Sequence, residues 1–158
     1  MRVSNMSINI LKQSLAVIVQ RVKYGASYDN SGSATLDDTT TEKTLLSVTG
    51  AGFFHRAHFK AVVGAGSPTT EDTRFSVKID GQIIIQTNAE SLNDQGFGHS
   101  SWWVQLIKYS AGGECRFAFC PPSGMSFETS IELTAQGVGT VDASNTVTAT
   151  GYATYQLI

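Results

Sequence analysis

The sequence predicts an all-β fold, an antiparallel two-sheet sandwich of the jelly-roll type with a short N-terminal arm. Three observations carry this prediction. Segments in which apolar and polar residues alternate recur from Lys43 to the end of the chain. Gly, Pro and Asp-Gly turn signals separate these segments. Within this region no clear helical repeat is seen, and about eight short strands of even spacing are typical of such a sandwich.

Length and composition agree with one β-rich domain. The 158 residues are predicted to form a single domain over residues 1–158, without a linker or an internal repeat. Only 15% of the residues are charged, against about 25% in average globular chains. A composition with so few charged residues suits a β-structure whose surface is partly covered by neighbouring subunits.

Charge and hydropathy argue against two classes of partner. The formal net charge of -2 comes without a basic stripe, so we expect no nucleic-acid partner. No apolar run approaches the roughly 20 residues that cross a bilayer, so we expect no membrane partner. Cys115 and Cys120 lie five residues apart in one predicted strand and face opposite sides, which predicts two free thiols and a reducing compartment during folding.

The N-terminal segment leaves two interpretations open. Between Ser7 and Lys23, apolar residues recur at helical spacing, whereas the run Ala16 to Val19 is β-branched and resembles a strand. We expect residues 1–15 to form an arm, either helical or in contact with a neighbouring subunit, followed by a strand through about Tyr24. Residues Gly25 to Thr41 are polar and predict an exposed loop or a weak edge hairpin.

The middle of the chain predicts two strands and then a hairpin. Thr44 to Thr49 leads through a glycine turn into Phe53 to Val63. In the second of these strands the predicted inward residues are Phe53, Ala57, Phe59, Ala61 and Val63, and the predicted outward ones are Arg56, His58 and Lys60. Arg74 to Ile79 and Gln82 to Thr87 flank Asp80-Gly81, a strong signal for a type I′ turn.

The C-terminal part predicts a second hairpin and two long strands. After a loop from Asn88 to Ser100, Trp102 to Tyr109 and Glu114 to Cys120 flank Gly112-Gly113, and Pro121-Pro122 ends the second strand. The remaining predicted strands are Met125 to Ala135, with Met125, Phe127, Ile131 and Leu133 inward, and Thr146 to Leu157.

Candidate catalytic and metal-binding patterns are weak. His55 and His58 fall three apart in one predicted strand and so face opposite sides, and His99 lies in a separate loop. The acidic residues Asp37, Asp38 and Glu42 are more typical of a solvated loop than of a cation site. No nucleophile elbow, Cys-His arrangement or paired-carboxylate signature appears, so we expect no enzymatic activity, no cofactor and no metal.

The tryptophan pair is the best candidate contact site. Trp102 and Trp103 are adjacent in a predicted strand, so one should point inward and the other outward. An outward tryptophan suits a sugar platform or an interface anchor. An equally good interpretation is that loops cover both rings. The preceding loop adds three candidate contact residues, Asp94, Phe97 and His99.

Two segments carry a resemblance to a known group of proteins. Thr44 to Phe53 (TLLSVTGAGF) and Phe75 to Gln82 (FSVKIDGQ) resemble a strand, turn and hairpin pattern in virion accessory proteins of tailed bacteriophages. The similarity covers about residues 16–87. It implies a jelly-roll or related sandwich that decorates capsids or builds tail and fibre parts, often as a trimer.

The sequence therefore leads to two functional hypotheses. The first is a non-enzymatic virion structural protein, a capsid decoration (cement) protein that stabilises the phage head as a homotrimer. Its partners would be other copies of itself and the major capsid protein or other virion subunits, and its location the virion after assembly in the bacterial cytoplasm. The alternative is a carbohydrate- or receptor-binding module of a phage tail or fibre.

Overall fold

A computed structural model describes residues 26–97 and 103–158. The described part is built almost entirely of strands, with one short α-helix and one 3-10 turn at Thr70–Asp72. The elements are β1 Ser27–Leu36, β2 Glu42–Thr49, β3 Gly52–Val63, β4 Thr73–Ile79, β5 Gln82–Thr87, α1 Ala89–Asp94, β6 Val104–Lys108, β7 Glu114–Phe119, β8 Met125–Phe127, β9 Ser130–Gly137 and β10 Val147–Leu157.

The strands form two antiparallel sheets in jelly-roll order. The larger sheet has the order β1-β10-β3-β7-β6, and β8 pairs with the start of β3, in line with β7. The smaller sheet has the order β2-β9-β4-β5. Taking β7 and β8 as one position, each sheet has the four-strand order of a jelly roll, and β6 is an added edge strand. The predicted sandwich and its topology are confirmed.

The core lies between the inner faces of the sheets. Strand β4 buries Phe75, Val77 and Ile79 as predicted, because alternate residues of a strand share a face. The rings of Phe59 and Phe117 from the larger sheet pack on Phe75 from the smaller one, with centroids 5.0 Å and 5.4 Å away. These aromatic contacts join the two layers at their centre.

The Asp80-Gly81 hairpin also fastens the crossing between sheets. Both residues have positive φ, 51° and 77°, as the predicted type I′ turn requires. The Asp80 carboxylate accepts hydrogen bonds from the backbone N–H groups of Thr129, Glu128 and Ser130, which lower its pKa to about 2. The turn thereby fixes the point where β8 ends and β9 begins.

That crossing corrects the prediction of one strand from Met125 to Ala135. The segment is two strands, because β8 belongs to the larger sheet and β9 to the smaller one. Phe127 and Ile131 are both buried as predicted, but from opposite sheets. Phe127 and Ile131 are an even number of positions apart, which fits the alternation of one continuous strand. Alternation alone does not distinguish such a strand from a crossing between sheets.

The predicted phase of β3 is wrong at its start. Phe54 is fully buried, whereas Phe53, which was predicted inward, is half-buried. The ladder to β10 pairs Phe54 with Tyr155 and Arg56 with Thr154, so His55 is an extra residue in a β-bulge. Beyond the bulge the predicted faces hold: Ala57, Phe59 and Ala61 are buried, although Val63 is only half-buried.

Two predicted loops contain regular structure. Residues 27–36 form the ten-residue edge strand β1, which pairs with β10 along its whole length. The segment after β5 contains α1, whose N-cap Asn88 accepts a hydrogen bond from the Ser91 N–H at 2.8 Å. Leu92 and Ala89 enter the core from this helix. The predicted arm of residues 1–15 and the helix-or-strand question at 7–23 lie outside the described residues.

The cysteines and the helix lengths are two further features of the described residues. Cys115 is buried and Cys120 exposed, and neither is in a disulfide, which confirms the predicted free thiols. In residues 26–97 and 103–158 no helix has the length and apolar character to span a bilayer.

Candidate functional site

A groove crosses the outer face of the larger sheet. Its volume is about 460 Å³, within the range of small-ligand sites. It forms because five neighbouring strands each turn alternate side chains outward. The lining residues are Asp29, Asn30 and Ser31 from β1, Arg56, His58, Phe59 and Lys60 from β3, Ile107 from β6, Arg116 and Phe117 from β7, and Tyr152, Ala153 and Thr154 from β10.

Strand register places an exposed tyrosine at the middle of the groove. Tyr152 lies opposite His58 on β3 and opposite Ser31 on β1. Its side chain is 45% exposed although it belongs to a central strand. A second apolar side chain, Ile107, is the extra residue of a bulge in β6 and is also exposed. The groove therefore combines apolar surface with polar neighbours.

Arg56 and Thr154 form a cross-strand pair at one end of the groove. Arg56 Nε donates to Thr154 Oγ1 at 3.1 Å, and the Thr154 hydroxyl donates to the Asp29 carboxylate. Among the described residues, Arg56 has no ion pair with a carboxylate. Its guanidinium therefore keeps an unneutralised positive charge at the groove.

The other end of the groove carries a shared ion cluster. The Glu114 carboxylate lies 2.6 Å from Arg116 Nε, 3.3 Å from Lys108 Nζ and 3.4 Å from Lys60 Nζ. The hydrogen bond from Arg116 is the largest cause of a pKa of about 2 for Glu114, and those from Lys108 and Lys60 add to it. Three cations thus share one carboxylate.

His58 contributes a neutral ring at neutral pH. Burial lowers the pKa of its imidazole, and the positive charge of Arg56 lowers it further. Because the ordinary value is already 6.5, the uncharged form dominates at pH 7. In the described part of the chain, His58 belongs to no group of three or more residues that could bind a metal.

The structure separates the contact residues that the sequence singled out. Trp103 lies at a bend before β6 and is 57% exposed. It lines a shallow pocket of about 260 Å³ with Pro121, Pro122 and Met125. Trp102 and His99 lie outside the described residues.

The two remaining candidates do not join Trp103 in that pocket. Phe97 packs against the hydrophobic core, and its backbone accepts a hydrogen bond from the Leu106 N–H at 3.0 Å. Asp94 ends α1 and is exposed. The contact role of Asp94 and Phe97 stays a prediction.

One side of the sandwich gathers exposed apolar side chains. Strands β1, β10 and β3 stack on β2, β9 and β4 in that order, so the edge strands β5 and β6 lie on the same side. Large apolar side chains on these two strands, or next to them, are exposed: Ile83 54%, Ile84 39%, Trp103 57% and Ile107 52%. We call these four residues the apolar edge.

Sequence reasoning missed the groove because it depends on strand order. Arg56, His58 and Lys60 were placed correctly on one outward face. Tyr152 and Arg116, however, come from strands far away in the sequence, and only the β10-β3-β7 order brings them beside that face. An exposed tyrosine in an otherwise small-residue strand, at Gly151 to Thr154, was the available signal.

Comparisons with known proteins assign no family. No family model matches the chain, and no curated protein matches it either. Among solved structures, the collagen-binding subdomain ACE19 of the Enterococcus faecalis surface protein ACE is 10% identical over 71% of this chain and 72% of that one, with a TM-score of 0.29. Dimeric latent PorU from Porphyromonas gingivalis is 17% identical, with a TM-score of 0.31, over 84% of this chain but 11% of its own length. Both TM-scores are low. The assignment of the fold therefore rests on the order of the strands in the two sheets.

Proposed function

We propose that this chain is a non-enzymatic structural protein of a tailed-bacteriophage virion, a capsid decoration protein that acts as a homotrimer. The observation that carries the proposal is the apolar edge. Exposed Ile83 and Ile84 lie on β5, whose outer backbone edge pairs with no strand among the described residues. An exposed strand edge with apolar side chains is suited to pairing with another chain.

In this proposal both edge strands of this side contribute to the partner surface. The helix α1 lies next to them, since it contacts β6 and β7 and follows directly from β5. Trp103 and Ile107 extend the same side from the larger sheet. Aromatic and aliphatic side chains of this kind anchor protein interfaces.

The assignment to a virion comes from the sequence resemblance. The similar segments include β2 and the β4–β5 hairpin, so the resemblance falls on the strands that carry Ile83 and Ile84. Decoration proteins attach at many equivalent positions, and a trimer would add avidity through multivalent contacts. The partners proposed are two further copies of the chain and the capsid subunits beneath them.

The experiment is the mass of the purified protein by size-exclusion chromatography with light scattering. The expected result is a stable trimer, and a monomer after the double substitution of Ile83→Lys and Ile84→Lys. Ile158→Lys is the matched control, because Ile158 is equally apolar and 67% exposed but lies outside the apolar edge. A wild-type monomer at high concentration would overturn the proposal.

A second measurement addresses the capsid itself. Trimeric protein should cosediment with expanded, undecorated heads of the phage that encodes it, and the double lysine variant should not. Loss of binding to heads by a variant that remains trimeric would instead place the capsid contact on the apolar edge and the trimer contact elsewhere.

A further inference from the structure

The groove on the larger sheet has a charge opposite to that of the rest of the described chain. Residues 26–97 and 103–158 contain seven Lys and Arg against thirteen Asp and Glu. The groove lining holds three of those cations, Arg56, Lys60 and Arg116, and Asp29 is its single acidic residue. A cationic groove in an acidic surface focuses an anionic ligand on this position.

The cations of the groove are incompletely neutralised by the protein. Arg56 makes one hydrogen bond, to Thr154, and has no ion pair in the described part of the chain. Lys60 and Arg116 share the Glu114 carboxylate with Lys108. A planar guanidinium that is free of a carboxylate partner is suited to bidentate pairing with a ligand carboxylate.

The same groove offers a ring face and polar groups within one small volume. Tyr152 is exposed at its centre, and Ile107 is exposed at its rim. Around the tyrosine lie the hydroxyls of Ser31 and Thr154. A sugar ring presents an apolar C–H face that packs on an aromatic side chain, and hydroxyls that need hydrogen-bond partners.

From these observations we infer that the groove binds a saccharide that carries a carboxylate group. The sugar ring packs on Tyr152, its hydroxyls bond to the polar residues of β1 and β10, and its carboxylate pairs with Arg56. The site goes beyond the proposed structural function and does not depend on it, because its proposed ligand contacts, Tyr152 and Arg56, lie on the outer face of the larger sheet, and Ile107 at the rim is the one residue that it shares with the apolar edge. A bound saccharide would allow the particle to adhere to an acidic glycan.

A polynucleotide fits these observations less well than an acidic sugar. A bound nucleic acid needs a row of cations along its backbone. Outside the groove and the Glu114 cluster, the described cations are Lys43, Lys78 and Arg74. Lys43 and Lys78 are each paired with a carboxylate, and Arg74 is bonded to Gln136. In the part of the chain that the structure describes, the positive surface is therefore confined to the groove.

The test is isothermal titration calorimetry of the full chain with matched sugar pairs. The probes are 3′-sialyllactose against lactose, which differ by one acidic sugar residue, and cellobiouronic acid against cellobiose, which differ only by a carboxylate in place of a hydroxymethyl group. We expect at least one acidic sugar to bind about tenfold or more tightly than its neutral match, because a charge-assisted hydrogen bond adds that much affinity. The binding should weaken as salt rises from 50 to 500 mM.

Variants locate the site. Arg56→Gln keeps the length and hydrogen-bonding capacity of the side chain but removes the charge, and should weaken the acidic sugar about tenfold while the neutral one is unaffected. Tyr152→Thr keeps a β-forming residue and should weaken both sugars. Lys78→Gln is the control, since Lys78 lies on the other sheet and should leave binding unchanged. Thermal unfolding confirms that each variant is folded.

Three results would overturn the inference. The first is no binding of either acidic sugar at about 10 mM, a concentration that detects even very weak sites. The second is equal affinity for the acidic and neutral members of both pairs, and the third is unchanged affinity in folded Arg56→Gln. Tighter binding of a short oligothymidylate than of either sugar would likewise assign the groove to nucleic acid.

Discussion

On the outer face of the smaller sheet, polar side chains satisfy one another across the strands. Thr134 Oγ1 donates to Glu42 at 2.7 Å, Lys78 pairs with the same carboxylate, and Gln86 donates to Ser76 at 3.1 Å. Thr134 and Ser76 are only 2% exposed, although both point away from the core. On the outer face of the larger sheet, Arg56 has no acidic partner among the described residues, and Tyr152 is exposed above a groove.

The difference shows that alternation defines a face but does not define its chemistry. Both outer faces come from strands with the same two-residue period. One is closed because Glu42 on β2 finds partners on β9 and β4, and Ser76 on β4 finds one on β5. The other is open because β3, β7 and β6 bring Lys60, Arg116 and Lys108 together with one glutamate. A closed face suits stability, and an open one leaves groups available to a ligand.

The largest expected effect comes from a steric clash between β1 of the larger sheet and β2 of the smaller one. Gly32 in β1 lies against β2, and a Cβ there would lie 1.7 Å from the backbone oxygen of Leu45. Because backbone cannot move aside as a side chain does, Gly32→Ala should lower the free energy of unfolding by about 3 kcal/mol. Gly112→Ala is the control, since nothing lies within 4 Å of its Cβ. Urea unfolding measures both, and equal stabilities would show that β1 and β2 separate without cost.

A smaller effect should distinguish the closed face from the open one. Thr134→Val removes the hydroxyl that donates to Glu42. Because Thr134 is almost fully buried, this should lower the free energy of unfolding by about 1 kcal/mol. Thr154→Val removes a hydroxyl that bonds Arg56 and Asp29 on the exposed face, where water can replace it. The free energy of unfolding should therefore fall more in the first variant. The reverse order would contradict the distinction between the two faces.

The smallest effect should appear as a pH dependence. The pKa of Glu114 is lowered from 4.5 to about 2, first by its hydrogen bond from Arg116. A lowered carboxyl pKa stabilises the folded state above the unfolded value, and this stabilisation is lost as pH falls from about 4.5 to about 2. The stability difference between wild type and Glu114→Gln should shrink across that window. Urea midpoints at a series of pH values measure it, and a constant difference would mean that the ion cluster contributes nothing to folding.

Much of the fold follows from local pattern. The β4–β5 hairpin was predictable because Asp80-Gly81 is flanked by alternating runs, and a type I′ turn constrains only two residues. The core positions of β4 and β10 followed from the same alternation. Where the local pattern is compatible with two structures, as between Phe127 and Ile131, the prediction failed at the crossing between sheets.

The candidate site was far less predictable. The sequence predicted that one tryptophan of the pair would point outward, without deciding which and with both covered as an equal alternative; Trp103 is exposed, but at a bend before β6 and not in a strand. The groove was not found, because its members from β1, β3, β6, β7 and β10 are brought together only by pairing across long sequence separations. The β3 bulge at His55 also escaped notice, because no glycine or proline marks it.

The sequence by itself determined an antiparallel β-sandwich, its hairpin turn and most of its inward-facing residues, since a two-residue period and turn chemistry act over a few neighbours. Tertiary structure alone decided which strands became neighbours, where β8 ends and β9 begins, and which outer face was left with a cation, Arg56, that pairs with no carboxylate in the described part of the chain. The physical reason is that these outcomes depend on strand register. Register is a balance of contacts between distant residues, and no single segment of the chain contains both partners.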